Sequence, residues 1–484
     1  MTVHINLRGR AGAEAALQRA VAGPVLFADD PGIDAELAGY NTAVTHHPAA
    51  VIGATSAGDV ATAVRYAAER GLAVGVHATG HGGVSSTDTV IVTTSRMQQF
   101  TVDPARRRAV VAAGVKWGSV IQAAAPYGLA PLNGSTSDVG VVGYTVGGGM
   151  GPMVRRYGNA ADHVTALEIV TADGRIRHVD PTHDPDLFWA VRGGKANFGV
   201  VTRLSFELMP VGRLYGGALY YSGEHAHTVL QTWRYWSATL DENTTSSIAL
   251  LRLPDLPQVP APLRGTCTVH LRVAHLGDPA RGAQLLVPMR AAAPPLIDAV
   301  RDMPYAEVDT IHNDPTDPMP GWDRGIFLRE LPPVTVDTLL EVAGPQHPQL
   351  PLIMVEVRHL GGAANRQPEP PNAAGGRDAG YSAGVAGPFP PPLRDIVPVL
   401  GQGVLDAVAP WGTGEVPINF AADIRTPADV GRPWSPQTYQ RLLEIKHRYD
   451  PANTFRTGNT LILTTGPELA ETPDTPPHSL GRIW

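Results

Sequence analysis

At 484 residues, with 43% hydrophobic and 17% charged side chains, the chain is long enough for two or three domains with full cores. Its net charge of −7, with no sustained basic block, argues against nucleic acid as a partner. The single cysteine, Cys267, excludes an internal disulfide framework and a cysteine-based zinc site. The N-terminus carries no signal-peptide pattern, and no apolar run is long enough to span a bilayer, which makes the cytoplasm the default location. Richness in Ala, Gly, Pro and Arg points to a high-GC bacterial source.

Ser56 to Arg70 reads as a helix, with an apolar stripe at Val60, Ala63, Val64 and Ala67, Ser56 as N-cap and Gly71 just past its end. Leu72 to Val76 reads as a buried strand, Val90 to Thr93 and Ala109 to Ala113 as further strands, and Trp117 to Ala125 as a helix. Val164 to Thr171, the Asp173-Gly174 turn and Arg175 to Val179 form a hairpin signal. Leu187 to Val191 is a short helix and Val200 to Leu208 a strand. No regular βαβα alternation and no Gly-x-Gly-x-x-Gly occurs, which disfavours a Rossmann fold. From about Leu214 strand-like runs appear at Ser247 to Leu253, Cys267 to Ala274 and Leu352 to Leu360, with helical segments between them. They predict an antiparallel sheet with helices on one face. Gln367 to Pro392, rich in Pro, Gly and Ala, reads as a long surface loop. Ser435-Pro436 starts a helix that runs to about Tyr449, and the Pro-rich tail from Thr465 reads as surface.

Three segments carry the chemistry. Val-His-Ala-Thr-Gly-His-Gly spans Val76 to Gly82. Val-Gly-Tyr-Thr-Val-Gly-Gly-Gly-Met-Gly spans Val142 to Gly151. Asp-Leu-Phe-Trp-Ala-Val-Arg-Gly-Gly-Lys-Ala-Asn-Phe-Gly-Val-Val-Thr spans Asp186 to Thr202. Glycine lets main-chain N–H groups approach a ligand closely, and successive N–H groups in such turns form an anion-binding concavity. The first two segments therefore read as a pyrophosphate cradle with His81 at its edge. His77 and His81 have metal-ligand spacing for a helix, but the Ala-Thr-Gly between them makes a helix improbable, so no metal site is assigned. Glu356 and Arg358 share one face of their strand, with His359 on the other; His270 and Arg272 share a face likewise. Such polar pairs are candidate acid/base devices. His312 to Asp317 reads as a turn.

Together the three segments resemble the berberine bridge enzyme-like branch of the vanillyl alcohol oxidase/p-cresol methylhydroxylase superfamily of FAD enzymes. The resemblance covers residues 40 to 210 and the last fifty residues. It implies an α+β chain: a two-part FAD-binding domain (1–210 and 426–484) with an inserted substrate domain (211–425) on an antiparallel sheet. It implies FAD bonded covalently through His81 only, because Gly134-Ser135-Thr136-Ser137-Asp138 lacks the cysteine of a second link. Implied cofactor residues are His77, Ala78, Thr79, Gly80, His81, Gly82, Ser135, Thr136, Ser137, Gly140, Gly143, Tyr144, Gly147, Gly148, Gly149, Gly151, Val200, Val201 and Asn459. Candidate catalytic residues are Glu356, Arg358, Asn419 and Tyr144.

The departures matter equally. Lys195-Ala196 replaces two glycines of the family's Arg-Gly-Gly-Gly-Gly-Asn-Phe-Gly, and Pro417-Ile418-Asn419-Phe420 replaces Tyr-x-Asn-Tyr without either tyrosine. The expected reaction is oxidation of a small specialised metabolite by hydride transfer to flavin, with molecular oxygen as reoxidant. The alternative is a redox-neutral cyclisation, such as a [4+2] cycloaddition, with FAD structural. Neither a membrane nor a nucleic acid is expected as partner; oligomeric state and substrate identity are not legible.

Overall fold

The computed structural model describes residues 7–83, 85–421, 427–458 and 461. Four strands, β1 (Val25–Phe27), β2 (Ala50–Gly53), β3 (Ala73–His77) and β4 (Thr89–Thr93), form a small sheet in the order β1-β2-β4-β3. β4 pairs in parallel with both β2 and β3. Parallel pairing requires a crossover, and α1 (Ala57–Ala68) supplies it. The expected stripe of α1 is buried: Val60, Ala63, Val64 and Ala67 are inaccessible. Ser56 accepts the Asp59 N–H at the N-terminus, and Gly71 follows the last turn with φ of +64°.

A second sheet is antiparallel. It contains β5 (Phe100–Asp103), β6 (Arg108–Ala112), β7 (Val164–Val170), β8 (Ile176–Val179) and β9 (Val200–Glu207), in the order β8-β7-β9-β6-β5. The Asp173-Gly174 turn joins β7 to β8 as its sequence requires, with Asp173 accepting from the Arg175 N–H. Two helices follow β6 and β8: α2 (Trp117–Ala124), whose Trp117, Val120 and Ile121 are buried, and α3 (Pro185–Gly194).

The large sheet begins at Arg213. Its main strands are β10 (Arg213–Ser222), β11 (Thr244–Arg252), β12 (Cys267–His275), β13 (Gly321–Leu328), β14 (Met354–His359) and β15 (Tyr381–Pro388). They run antiparallel in the order β10-β12-β11-β14-β15-β13. Alternation gives the sheet two unlike faces. One presents Ile248, Leu250, Val269, Leu271, Val355, Val357 and Val385 to the helices Ala226–Ala238, Pro333–Ala343 and Val397–Val408, forming a continuous apolar core. Each such buried side chain contributes about 1.5–3 kcal/mol. The other face carries Ser247, His270, Arg272, Asp323, Glu356 and Arg358.

One expectation is corrected here. The segment Gln367 to Pro392 is not a surface loop throughout, because Tyr381–Pro388 is an interior strand between β14 and β13. The residues before it also pack inward: Ala373 and Ala374 are buried, and Arg192 donates to the Pro370 and Pro371 carbonyls. Its small residues sit where bulk cannot. Gly384 pairs across from Glu356 on one side and Gly325 on the other.

The chain returns to the first body through the helix Pro436–Tyr449, capped by Ser435. Lys446, fully buried, donates to Asp450, the Asn197 carbonyl and the Phe455 carbonyl at 2.7–2.8 Å. Asp450 also accepts the Thr454 and Phe455 N–H groups. Among the described residues no helix is long and apolar enough to cross a membrane. The tail from Thr465 lies outside the described residues. Lys446→Met strands a buried carboxylate, so chemical denaturation is expected to show a loss of about 3–5 kcal/mol.

Candidate functional site

The first glycine segment and the stretch that leads into the second meet at Thr79 and Gly140, 61 positions apart in sequence. The Gly140 N–H lies 3.4 Å from Thr79 Oγ1, and a Cβ on Gly140 would touch the Thr79 methyl at 3.4 Å. Thr79 Oγ1 also holds His81 Nδ1 at 2.9 Å. The His81 ring stacks on Tyr40, centroids 4.2 Å apart and planes within 6°. Tyr40 and Asn41 donate their N–H groups to the Thr79 and Gly80 carbonyls, which fixes the loop. His81 Nε2 is buried and, among the described residues, has no hydrogen-bond partner; the Asp138 carboxylate is 3.9 Å away and paired with Lys116. Burial pushes the His81 pKa down to about 4, against the pull of Asp138, so the imidazole is neutral at pH 7.

The remaining cradle residues divide by what surrounds them. Gly82 and Gly143 are exposed, and a Cβ at either would meet nothing within 4 Å. Gly147 is required by the protein itself: a Cβ there would fall 2.1 Å from Asn419 Oδ1 and 2.9 Å from Lys195 Cε. Gly149, at φ +80°, lies under the Tyr144 ring, and Gly151 lies against the Asn133 carbonyl. Gly148 has φ of +99°. Val200 and Val201 pair only with β7, since pairing of β9 with β6 begins at Arg203. Ser135 is half-buried, and Thr136 accepts the Asp138 N–H. Asn459 lies outside the described residues.

Two cofactor expectations are revised by geometry. His77 packs behind the loop, with its ring against Gly39 and Gly80 and edge-on to His46, so its side chain is a support and not a cradle wall. Ser137 commits both its N–H and its hydroxyl to Asp309, which ties the loop to the large sheet's flanking 3-10 helix.

Across from the cradle stands the polar face of the large sheet. Glu356 accepts from Ser247 Oγ at 2.8 Å, from Arg358 Nε at 2.6 Å and from Arg272 Nη1. Burial alone would raise its pKa, but the guanidiniums of Arg358 and Arg272 more than offset this and hold it below the usual carboxylate range. Glu356 is therefore a fixed anion that aims Arg358, and it is a poor proton acceptor. Tyr144 is wedged edge-on to Trp117 at 5.7 Å, with its hydroxyl buried and, among the described residues, without a partner. Burial pushes its pKa up, so it stays a protonated donor. Asn419 donates to the Tyr144 carbonyl at 3.0 Å and lies against Gly147.

Sequence reasoning noticed Lys195 only as a departure and missed Asp323. Lys195, at φ +54°, is anchored by its N–H to the Val146 carbonyl and sends its stem to Gly147. Asp323 projects from β13 on the polar face, and its charge is felt by Tyr40. Both side chains are half-buried, and among the described residues neither has a hydrogen-bond or ion-pair partner. Burial moves Asp323 up to about 6 and Lys195 down to about 8, each partly restrained by the other's charge. The alternation of Gly321 to Leu328 was the available signal for Asp323.

A model of the FAD binding domain matches residues 48–180. The chain is 37% identical to (R)-6-hydroxynicotine oxidase of Paenarthrobacter nicotinovorans over 196 residues, which covers 40% of this chain and 43% of that protein. It is 26% identical over 471 residues to the uncharacterised FAD-linked oxidoreductase YgaK of Bacillus subtilis, covering 90% and 95% of the two chains. The berberine bridge enzyme-like protein 1 of Physcomitrella patens superposes with a TM-score of 0.79 at 18% identity, over 92% of this chain and 98% of that one. Carbon-13 NMR of the Asp323 carboxyl should show it protonated below about pH 6, and Lys195→Met should raise that midpoint by removing the cation that lowers it.

Proposed function

We propose that the chain is a member of the berberine bridge enzyme-like branch of the vanillyl alcohol oxidase/p-cresol methylhydroxylase superfamily, a reading supported by its FAD binding domain and its FAD-linked oxidoreductase relatives, and that it oxidises a small organic molecule by hydride transfer to FAD tethered at His81. The observation that carries the reading is His81 Nε2. A buried nitrogen without a partner is costly and needs an explanation. A neutral imidazole keeps one ring nitrogen free of a proton, which is what a carbon–nitrogen link requires. The residues present fit the cofactor: the open faces of Gly82 and Gly143 flank the same loop junction as this nitrogen. His81, Thr79, Gly80, Gly82, Thr136, Gly140 and Gly143 would hold it. Bound FAD supplies the hydride acceptor, and oxygen is the proposed reoxidant.

The chain's own residues do the rest. Substrate sits between the glycine run and the polar face of the large sheet, at the junction of the proposed domains 1–210, 211–425 and 426–484. Arg358, aimed by Glu356, orients it. The proton released on oxidation goes to Asp323, whose affinity near pH 6 suits a base working at neutral pH. The Lys195 cation keeps Asp323 ionised. Tyr144 remains a hydrogen-bond donor, and Asn419 fixes the main chain that carries it.

The intact mass of the denatured protein is expected to include one FAD, and His81→Ala to remove it; FAD on the denatured His81→Ala polypeptide would overturn the assignment. Anaerobic substrate should bleach the flavin once per molecule oxidised, whereas a cyclase leaves it yellow and yields a product of unchanged mass. The ionised Asp323–Lys195 pair exists between about pH 6 and pH 8. The rate of flavin reduction should therefore rise with pH through the first value. Asp323→Asn should abolish this limb and slow reduction about 100-fold, and Lys195→Met should move it to higher pH.

A further inference from the structure

Where the end of the glycine run crosses the large sheet, the two bodies border a half-open pocket. Met150 and Gly151 wall it on one side; Ser247, Arg272, His312 and Arg358 wall it on the other. No residue lining it is acidic. Glu356 lies behind the lining as a single carboxylate shared by two guanidiniums, Arg272, which is buried, and Arg358, which is partly exposed. Asp314 acts on Arg358 through space, but among the described residues the two form no ion pair. Arg358 spends Nε on Glu356 and rests near the Phe420 ring, while among the described residues its terminal fork has no hydrogen-bond partner. His312 adds a buried Nδ1 that, among the described residues, has no partner, and burial together with the Arg272 charge keeps its ring neutral.

Buried charge persists where it is paired, and a planar guanidinium with a free fork is matched by a carboxylate, which accepts two parallel N–H bonds. We infer that this cavity binds a carboxylate group, and that the substrate is a small carboxylic acid held by the Arg358 fork with His312 beside it. The inference rests on the oxidase reading only in calling that acid a substrate. Glu356 then acts as a positioning residue, since its grip on Nε turns the fork toward the cavity.

The test uses the FAD-loaded protein titrated with sodium acetate and sodium benzoate, with benzyl alcohol and sodium chloride as neutral and halide controls. Calorimetry reports binding, and flavin absorbance with the melting temperature reports integrity. At least one carboxylate should bind saturably. Arg358→Met should weaken it about 30-fold and His312→Asn about 10-fold, as the loss of one charge-assisted and one neutral hydrogen bond in a buried site predicts. His312→Asn leaves the Glu356 ion pairs intact, so it carries the test if Arg358→Met fails to fold. Carboxylates binding no better than benzyl alcohol or chloride would overturn the inference, as would wild-type affinity in the folded variants. A colourless protein that still binds benzoate through Arg358 would instead overturn the oxidase reading and leave the carboxylate site standing.

Discussion

Arg155 fastens the molecule together. Its buried guanidinium donates to the carbonyls of Leu240, Asp241, Thr244 and Leu360 at 2.7–3.2 Å. Those carbonyls belong to the end of one helix, the start of β11 and the exit of β14, so one side chain ties three segments together. Arg155 comes four residues after Gly151, so the clamp sets where the glycine run lies over the large sheet. Shorter ties repeat the theme: Tyr305 to Asn133, Ser137 to Asp309, and Arg377 to Asp162. Directional bonds of this kind define a register that apolar packing alone leaves loose. The cavity, and the distance across which substrate must fit, follow from that register.

The large sheet divides its labour by pleat. Its helix-covered face is a core of aliphatic and aromatic side chains, with Tyr221 and Trp233 fully buried. That core stabilises the sheet well enough for the other face to be given over to charge. A polar face in a dry interface is tolerable only if its charges hold one another, and Glu356, reached from three adjacent strands, does this. The small residues Ala249, Gly384 and Gly325 beside it keep the floor low. An all-apolar face would bind the two bodies more tightly and leave nothing with which to orient a substrate.

Local signals were legible, and non-local ones were not. The α1 stripe with its Ser56 cap, the Asp173-Gly174 hairpin and the Ser435-Pro436 helix start are each written within a few residues, and each stands where expected. The strand Tyr381–Pro388 was hidden because its environment demands small residues, so its composition resembles a loop. His77 carried the motif's spacing but not its direction: His46 and Gly39 decide where the ring goes, and both lie over thirty residues upstream. Lys195 and Asp323 are 128 positions apart in number, and only the fold makes them neighbours in charge. The resemblance singled out the glycine segments; it could not say which side chains around them the fold would leave unpaired.

Those side chains contrast with the charges that hold the fold together. A buried lysine with a purely structural role is fully satisfied in this chain, since Lys446 has three oxygen acceptors at 2.7–2.8 Å and no exposed surface. Lys195, among the described residues, has none, although Asp323 is near enough to shift it. Arg155 fills its donors with four carbonyls, while the Arg358 fork, among the described residues, fills neither terminal nitrogen. A sequence able to satisfy Lys446 and Arg155 so fully does not leave Lys195, Arg358 and His81 Nε2 short for lack of means. Lys195 reaches Gly147, and Arg358 and His312 line the pocket beside Gly151. Hydrogen-bonding capacity left unspent at a pocket is the physical mark of a place that a bound group can complete.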